Sequence, residues 1–440
     1  MSHEIRKKEI ISKESLKGNP NLGLIAGTIA FFAGFAAVAL FGTTAHLIAN
    51  YLNLSIVEIG WLVAIPLVTG AFLRIPFSAL VDKYGGRRIL ITQLIIALAG
   101  MIGLIFTLRA ILSHEITNHL VGYAFVMTFG AIAGTGISTF SSGITYVSYW
   151  FPQKRQGFAL GFYAGIGNTA PGIFTAILPF TLASIGLIYS YATWASFLGI
   201  MIVVFSIVGF DAYYFQIVKK KKNHNEAIRI AREAGEELFP TGSATKSLVD
   251  AAKVWSVWLL VVMYFISFGG FEALTEWLPT YWTKYVGVST VEAGILTGIL
   301  FSLVTALIRV LGGWLGDRVG GEKAALASYI VMIFGSLIMI FSGANFTLDV
   351  AGEIVMALGM GAANGAVYKL VPKYAPHSVG GASGWVGGLG SAGGLLIPPA
   401  MAAFVQTFGV HGYSLGFIIF TIFSLVSIAF SLILKRYYNA

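Results

Sequence analysis

Arg74 and Arg309 each sit inside an apolar stretch, eight residues before an aspartate, Asp82 and Asp317. If those stretches are membrane-spanning helices ending at the aspartates, a rise of 1.5 Å per residue puts each arginine about 12 Å inside the boundary, close to the midplane. An arginine at that depth costs at least about 2.5–3.5 kcal/mol on insertion scales, so it must face a polar cavity or a partner rather than lipid. Two readings stay open. Each arginine could be held in an intramembrane ion pair, for which Glu272, Glu276, Glu353 and Asp211 are the candidate carboxylates. No span, however, offers a carboxylate at the matching depth in both halves of the chain. The other reading is two guanidiniums facing each other, an uncompensated positive site suited to a planar oxyanion. Catalytic and metal chemistry find no support. The chain has no Cys, and His46, His114, His119, His377 and His411 are scattered without ligand spacing. No metal, cofactor or catalytic residue is expected.

The elements that must carry the arginines follow from composition. Of 440 residues, 57% are hydrophobic and 11% charged, against roughly 25% charged in soluble domains. The mean hydropathy is +0.81. The 53 Gly, 33 Phe, 19 Tyr and 9 Trp suit helices that pack through small residues and meet lipid through aromatics. Twelve stretches reach the roughly 20 apolar residues a spanning helix needs, at about 22–50, 58–82, 89–111, 120–150, 157–183, 188–215, 254–286, 291–316, 323–343, 347–372, 380–406 and 411–434. The expected fold is an all-α membrane protein.

Charge placement orients it. Lys83, Arg87, Arg88, Lys154, Arg155, Lys219 to Lys222, Arg318, Lys323, Lys373, Lys435 and Arg436 all fall on the side of the basic tail, Met1 to Asn21, with Glu4, Arg6, Lys7, Lys8, Lys13, Glu14 and Lys17. The opposite loops hold little more than Arg109 and Lys284. The positive-inside rule therefore puts both termini in the cytoplasm, and the net charge of +9 needs no nucleic acid to explain it. No small-residue cleavage site follows the first apolar run, so no cleaved signal peptide is expected. Residues 216–253 form the one long polar segment, a cytoplasmic linker whose stretch from about 224 to 238 is patterned for a short amphipathic helix on the membrane surface. The division is thus a tail (1–21), a six-helix bundle (22–215), the linker (216–253) and a second bundle (254–436).

The two bundles repeat each other. Leu73-Arg74-Ile75-Pro76 through Asp82-Lys83-Tyr84-Gly85-Gly86 aligns with Ile308-Arg309-Val310-Leu311 through Asp317-Arg318-Val319-Gly320-Gly321, and Gly161 to Asn168 aligns with Gly384 to Ser391. Asp82 with Arg87 and Arg88, and Asp317 with Arg318, form a charged loop pattern that resembles the gating motif of the major facilitator superfamily. Its second copy runs Gly313, Asp317, Arg318, Gly320, while the first has Ser78 in place of the first glycine. The resemblance implies twelve helices in two pseudo-symmetric bundles.

Further motifs are similar to those of the nitrate/nitrite porter family within that superfamily. These are Ala164-Gly165-Ile166-Gly167-Asn168, the glycine run Gly380 to Gly394 with Ile397-Pro398, Gly359 to Pro372 in span ten, Leu73 to Pro76, and Phe268-Gly269-Gly270-Phe271. The first signature departs from the family where Thr169, Ala170 and Pro171 follow Asn168, a sequence expected to kink span five. By this resemblance Arg74 and Arg309 would bind nitrate, with nitrite also accepted. Asn168, Tyr264 and Ser391 would add polar contacts, and Phe140 and Phe268 would wall a flat ligand above and below. The signature glycines Gly161, Gly165, Gly167, Gly387, Gly388 and Gly390 would let helices slide as the site closes. The same resemblance implies an inner-membrane transporter working as a monomer in the lipid bilayer by alternating access. Glu272, Glu276 and Lys369 are the residues that could couple protons, and the Lys369-Leu370-Val371-Pro372 stretch leans toward proton-coupled uptake. Nitrate/nitrite exchange without protons, and transport of another small anion such as a short carboxylate, are the alternatives.

Overall fold

Hydropathy and helix-ending glycines together set the architecture. The computed structural model describes residues 16–220, 223–239, 244–375 and 379–438, and every regular element among them is a helix. Glu4, Arg6, Lys7, Lys8, Lys13, Glu14, Lys221, Lys222 and His377 lie outside the described residues, as do the side chains of Lys154 and Pro372.

Eleven described helices are long and apolar enough to cross a membrane. One of them, Ala159–Val208, has 50 residues, about 75 Å if straight, more than twice a hydrocarbon core of about 30 Å. It breaks at Gly186, whose φ of 75° and ψ of 176° no helix accommodates. The chain doubles back there, because Trp150 just before this segment packs its ring 5.2 Å from that of Tyr213 just after it. The chain therefore crosses twelve times. Both described chain ends lie on one face with the ends of the linker: Lys17 exchanges hydrogen bonds with Gln216 at its start (3.0 and 2.7 Å), and Tyr437 rests on Trp255, just beyond its end, at 5.5 Å. This is the terminal face of the molecule.

The internal repeat has a structural counterpart. The second crossing, Ile56–Tyr84, and the eighth, Thr290–Val319, end at Gly85 and Gly320, with φ of 83° and 93°. A left-handed backbone is open to glycine at little steric cost, which is why both repeats carry the Gly-Gly pair after the aspartate. The kink expected after Asn168 is present. Helix Gln153–Gly167 stops, Asn168 and Thr169 form a turn, and the chain resumes at Ala170 with Pro171 in its first turn.

Packing differs between the faces. Away from the termini the two halves touch through glycines. A methyl group built on Gly172 would lie 2.6 Å from the Gly298 carbonyl oxygen, one on Gly60 2.6 Å from Ala402 Cβ, and one on Gly42 3.2 Å from Glu276 Cα. Toward the terminal face the halves part around a cavity of about 910 Å³ that runs from Phe140 and Arg309 to Asp82, Tyr149 and Lys369. The molecule is open to the terminal face and sealed at the other. Gly298→Val is expected to overpack the seam at a cost of about 1–3 kcal/mol, a roughly 5- to 150-fold shift toward the form open on the sealed side. In this cysteine-free chain, a Ser302→Cys reporter, buried here, would then react with thiol reagents from that side. An unchanged rate removes Gly298 from the seam.

The linker is docked rather than loose. The expected amphipathic helix runs His224–Glu233 and stops before residue 238, because Gly235 turns the chain at φ 98°. Beyond it the buried Glu236 carboxylate accepts the backbone N–H groups of Tyr213 and Tyr214. Burial pushes its carboxyl up to about 7. Leu238, Phe239 and Leu248 then line the mouth of the cavity, and Trp385 donates its indole N–H to the Leu248 carbonyl at 2.9 Å.

Candidate substrate site

Helical spacing gathers the aromatic wall. Tyr264, Phe268, Glu272 and Glu276 recur every four residues along the seventh crossing, Trp255–Val286, and so share one face. Phe265–Gly269 is a π-helical turn, a local widening that is frequent at functional sites. The Phe268 ring stacks on Tyr264 (centroids 4.9 Å apart, planes 7°) and on Phe140 from the fourth crossing (5.7 Å, 28°). All three are fully buried.

The two arginines flank this stack. Arg74 Cζ lies 5.2 Å from the Phe140 centroid and 5.5 Å from that of Phe268, and Arg309 Cζ lies 5.9 and 5.4 Å from the same rings. Residues 235 positions apart are thereby brought to one centre. Their surroundings differ. Arg74 is 1% exposed, ion-paired to Glu272 (Nη2 to Oε1, 2.8 Å) and hydrogen-bonded to the Gly387 carbonyl at 3.0 Å. Arg309 meets no carboxylate among the described residues, and its buried Nη1 has no hydrogen-bond partner. Of the two readings open at the sequence level, the ion pair thus holds for Arg74 and not for Arg309. Two cations against one carboxylate leave a single net positive charge. That ion pair also ties the halves together at their centre, since Arg74 and Glu272 belong to different bundles.

Beside the centre the Tyr264 hydroxyl is buried and unbonded, and in the turn that breaks the fifth crossing both amide atoms of Asn168 are buried and unbonded as well. Leaving such groups unmatched costs roughly 1–3 kcal/mol each, so the arrangement calls for a ligand with several acceptor atoms. A small anion with acceptors on more than one side would satisfy Arg309 and Tyr264.

Several expectations are corrected. Ser391 donates its hydroxyl to Glu272 rather than facing a substrate directly. Phe140 and Phe268 stack on each other in this state instead of standing apart around a ligand gap. Lys369 is paired with Asp317 at the wide end of the cavity, away from Glu272, because its position on the tenth crossing, Phe346–Val371, lies nearer the terminal face. Asp211 is spoken for by Lys219 and by the backbone N–H of Arg87, and Glu353 accepts the Trp282 indole N–H at 2.7 Å. Neither reaches an arginine of the site. Glu276 is fully buried with both oxygens unbonded, beneath the Gly42 contact that seals the closed face.

The loop motif is arranged within each half. Asp82 accepts the Tyr149 hydroxyl at 2.7 Å, Arg87 donates to the Ser206 carbonyl at 2.6 Å, Arg88 is exposed, and Arg318 covers the Trp314 ring at 4.1 Å. Among the described residues no ion pair crosses between the halves at this face, as its open cavity requires. The signature glycines divide accordingly. Gly167 is packed against Phe31, Gly388 against Ile75 and Gly390 against Tyr264, whereas a methyl on Gly161 would meet nothing and one on Gly165 or Gly387 would make only loose contact. Tyr368, whose ring lies 5.7 Å from Arg309 Cζ, escaped the sequence reading. Its one signal was its place in the span-ten stretch, beside the more conspicuous Lys369.

Comparison with known proteins agrees with this architecture. The family model of the Major Facilitator Superfamily matches residues 27–300 and 283–439. A probable nitrate/nitrite antiporter NarK1 of Thermus thermophilus is 29% identical over 404 residues, covering 85% of this chain and 83% of its own. A probable nitrate/nitrite transporter NarK2 of Mycobacterium tuberculosis is 29% identical over 418 residues (94% and 96%). A probable nitrate transporter NarT of Staphylococcus epidermidis is 27% identical over 402 residues (91% and 93%). Among solved structures, the xylose transporter XylE of E. coli in a partially occluded inward-open conformation superposes with a TM-score of 0.70 over 95% of this chain and 99% of its own, at 14% identity, a likeness of fold alone. With twelve crossings in two repeated halves around a central arginine pair, the chain belongs to the Major Facilitator Superfamily, and its similarity within that superfamily is to nitrate/nitrite porters.

Proposed function

We propose that the protein carries nitrate, and also nitrite, across the cytoplasmic membrane by alternating access, with proton-coupled uptake as its direction. The observation that carries this reading is the centre itself. Two guanidiniums flank a stacked aromatic pair, and the Arg309 Nη1 and the Tyr264 hydroxyl stand buried and unbonded beside it, with the unbonded Asn168 amide assigned to the same site by the family resemblance. Nitrate is planar and singly charged, and offers three acceptor oxygens to such a set. Names of relatives that include nitrate support the same substrate. Basic residues gathered on the terminal face support a cytoplasmic location for both termini. On this reading the bundles 22–215 and 254–436 rock about the site, joined by the linker 216–253, and one chain suffices.

The Arg74–Glu272 pair supports symport over obligatory exchange. An empty site with two uncompensated arginines would resist closing in a low-dielectric interior, whereas Glu272 removes one of the two charges when no anion is bound. Protonation of Glu272 releases Arg74 for the incoming anion, so proton and anion bind together and leave together. Glu276, one turn along the same helix face and beneath the seal, is suited to hand on the proton from the outer side.

The test is uptake of labelled nitrate into liposomes containing the purified protein. Accumulation driven by an inward proton gradient alone is expected. Uptake that requires nitrite or nitrate trapped inside would establish exchange instead. No nitrate uptake under either condition, with saturable uptake of a labelled short carboxylate, would transfer the site to that other anion class.

A further inference from the structure

On the face opposite the termini, directly above the seal, lies a second recess of about 440 Å³ lined by His46, Ala49, Asn50, Asn53, Leu54, Ile59 and Lys284. Its walls come from both halves. His46, Asn50 and Asn53 follow the first crossing, four to eleven residues beyond Gly42, and Lys284 ends the seventh crossing, eight residues beyond Glu276. Gly42 against Glu276 is one of the close contacts between the halves on this side. Helical rise puts Lys284 about 12 Å further out than Glu276. The recess therefore sits where an anion from outside would wait for the seal to part.

Its chemistry is one-sided. Lys284 is exposed and has no carboxylate partner among the described residues, His46 Nε2 lies 3.5 Å from the Thr290 hydroxyl, and the two asparagines bring amide donors. Among the described residues no carboxylate lines the recess. The nearby carboxylates are turned elsewhere: Glu58 caps its own helix at Ser55 and meets His119 Nε2 at 2.6 Å, and Glu292 caps its helix at Ser289. On a face otherwise poor in lysine and arginine, the cation and the amide donors converge in one concavity at the mouth of the closed route.

We propose that this recess, held by Lys284, His46, Asn50 and Asn53, is an external capture site for a small monovalent anion, filled before the central site becomes accessible. Naming nitrate as its occupant rests on the function proposed above; its positive character does not. The absence of native cysteines allows a direct test. Asn50→Cys places a single thiol on an exposed helical position, to be modified from outside by an anionic and a cationic methanethiosulfonate of similar size. After normalisation to a free thiol, the anionic reagent is expected to react roughly five-fold faster than the cationic one at low salt. Lys284→Gln in the same background should bring the ratio near unity, and Lys284→Arg should restore it, which separates charge from misfolding. Nitrate should slow the anionic reagent saturably, while equimolar gluconate should not. Equal rates for the two reagents, or a ratio indifferent to Lys284→Gln, would overturn the proposal. The ratio is measured without transport, so a protein that proved unable to move nitrate would fail the substrate reading and leave this result decisive for the recess.

Discussion

Arg309→Lys is expected to cut nitrate uptake severely although it keeps the charge. The guanidinium of Arg309 lies within 6.0 Å of four ring centroids, those of Phe140, Tyr264, Phe268 and Tyr368, with Nη1 buried and unbonded. A lysine ammonium is a compact, strongly hydrated point charge that cannot present two parallel N–H groups or stack flat among the rings. Losing one partner of a desolvated, hydrogen-bonded charge pair costs about 2–5 kcal/mol, which converts to a fall of roughly 30- to 5,000-fold in binding. The measurement is initial uptake at subsaturating nitrate in liposomes, with monodispersity of the purified variant as the control for folding. Near-normal uptake by folded Arg309→Lys would take this residue out of the anion site.

Glu272→Gln is expected to separate anion movement from the proton gradient. With the carboxylate gone, no titratable group exchanges places with nitrate on Arg74, so the variant should still equilibrate nitrate while losing accumulation against a gradient. Each unit of pH difference can support about tenfold accumulation by one-to-one symport, and that factor should disappear. A second readout follows from the buried charge. Glutamine leaves Arg74 unpaired when the site is empty, and breaking a buried pair in this way costs about 3–5 kcal/mol. Saturating nitrate should therefore raise the melting temperature of Glu272→Gln more than that of the unsubstituted protein. Proton-driven accumulation unchanged in Glu272→Gln would eliminate Glu272 from coupling and pass the role to Glu276.

Most of the framework was legible in the residue order because the signals behind it are local. The length of each apolar run, the Gly-Gly pairs that allow φ of 83° and 93° after Asp82 and Asp317, and the proline that follows Asn168 all act within a few residues of their own positions. They determined twelve crossings, the repeat, the broken fifth helix and the depth of Arg74 and Arg309. The aromatic face of the seventh crossing was equally readable, from a four-residue spacing. What only the tertiary structure decided are the meetings between elements far apart in sequence. Glu272 reaches Arg74 across 198 positions and two bundles, Lys369 goes to Asp317 instead, and the halves close on one face and part on the other. Hydropathy is blind to these choices, since any apolar helix satisfies it in any rotation about its axis. The choice is made by side-chain geometry and by which glycines let two backbones approach, and those come into being only when the helices pack.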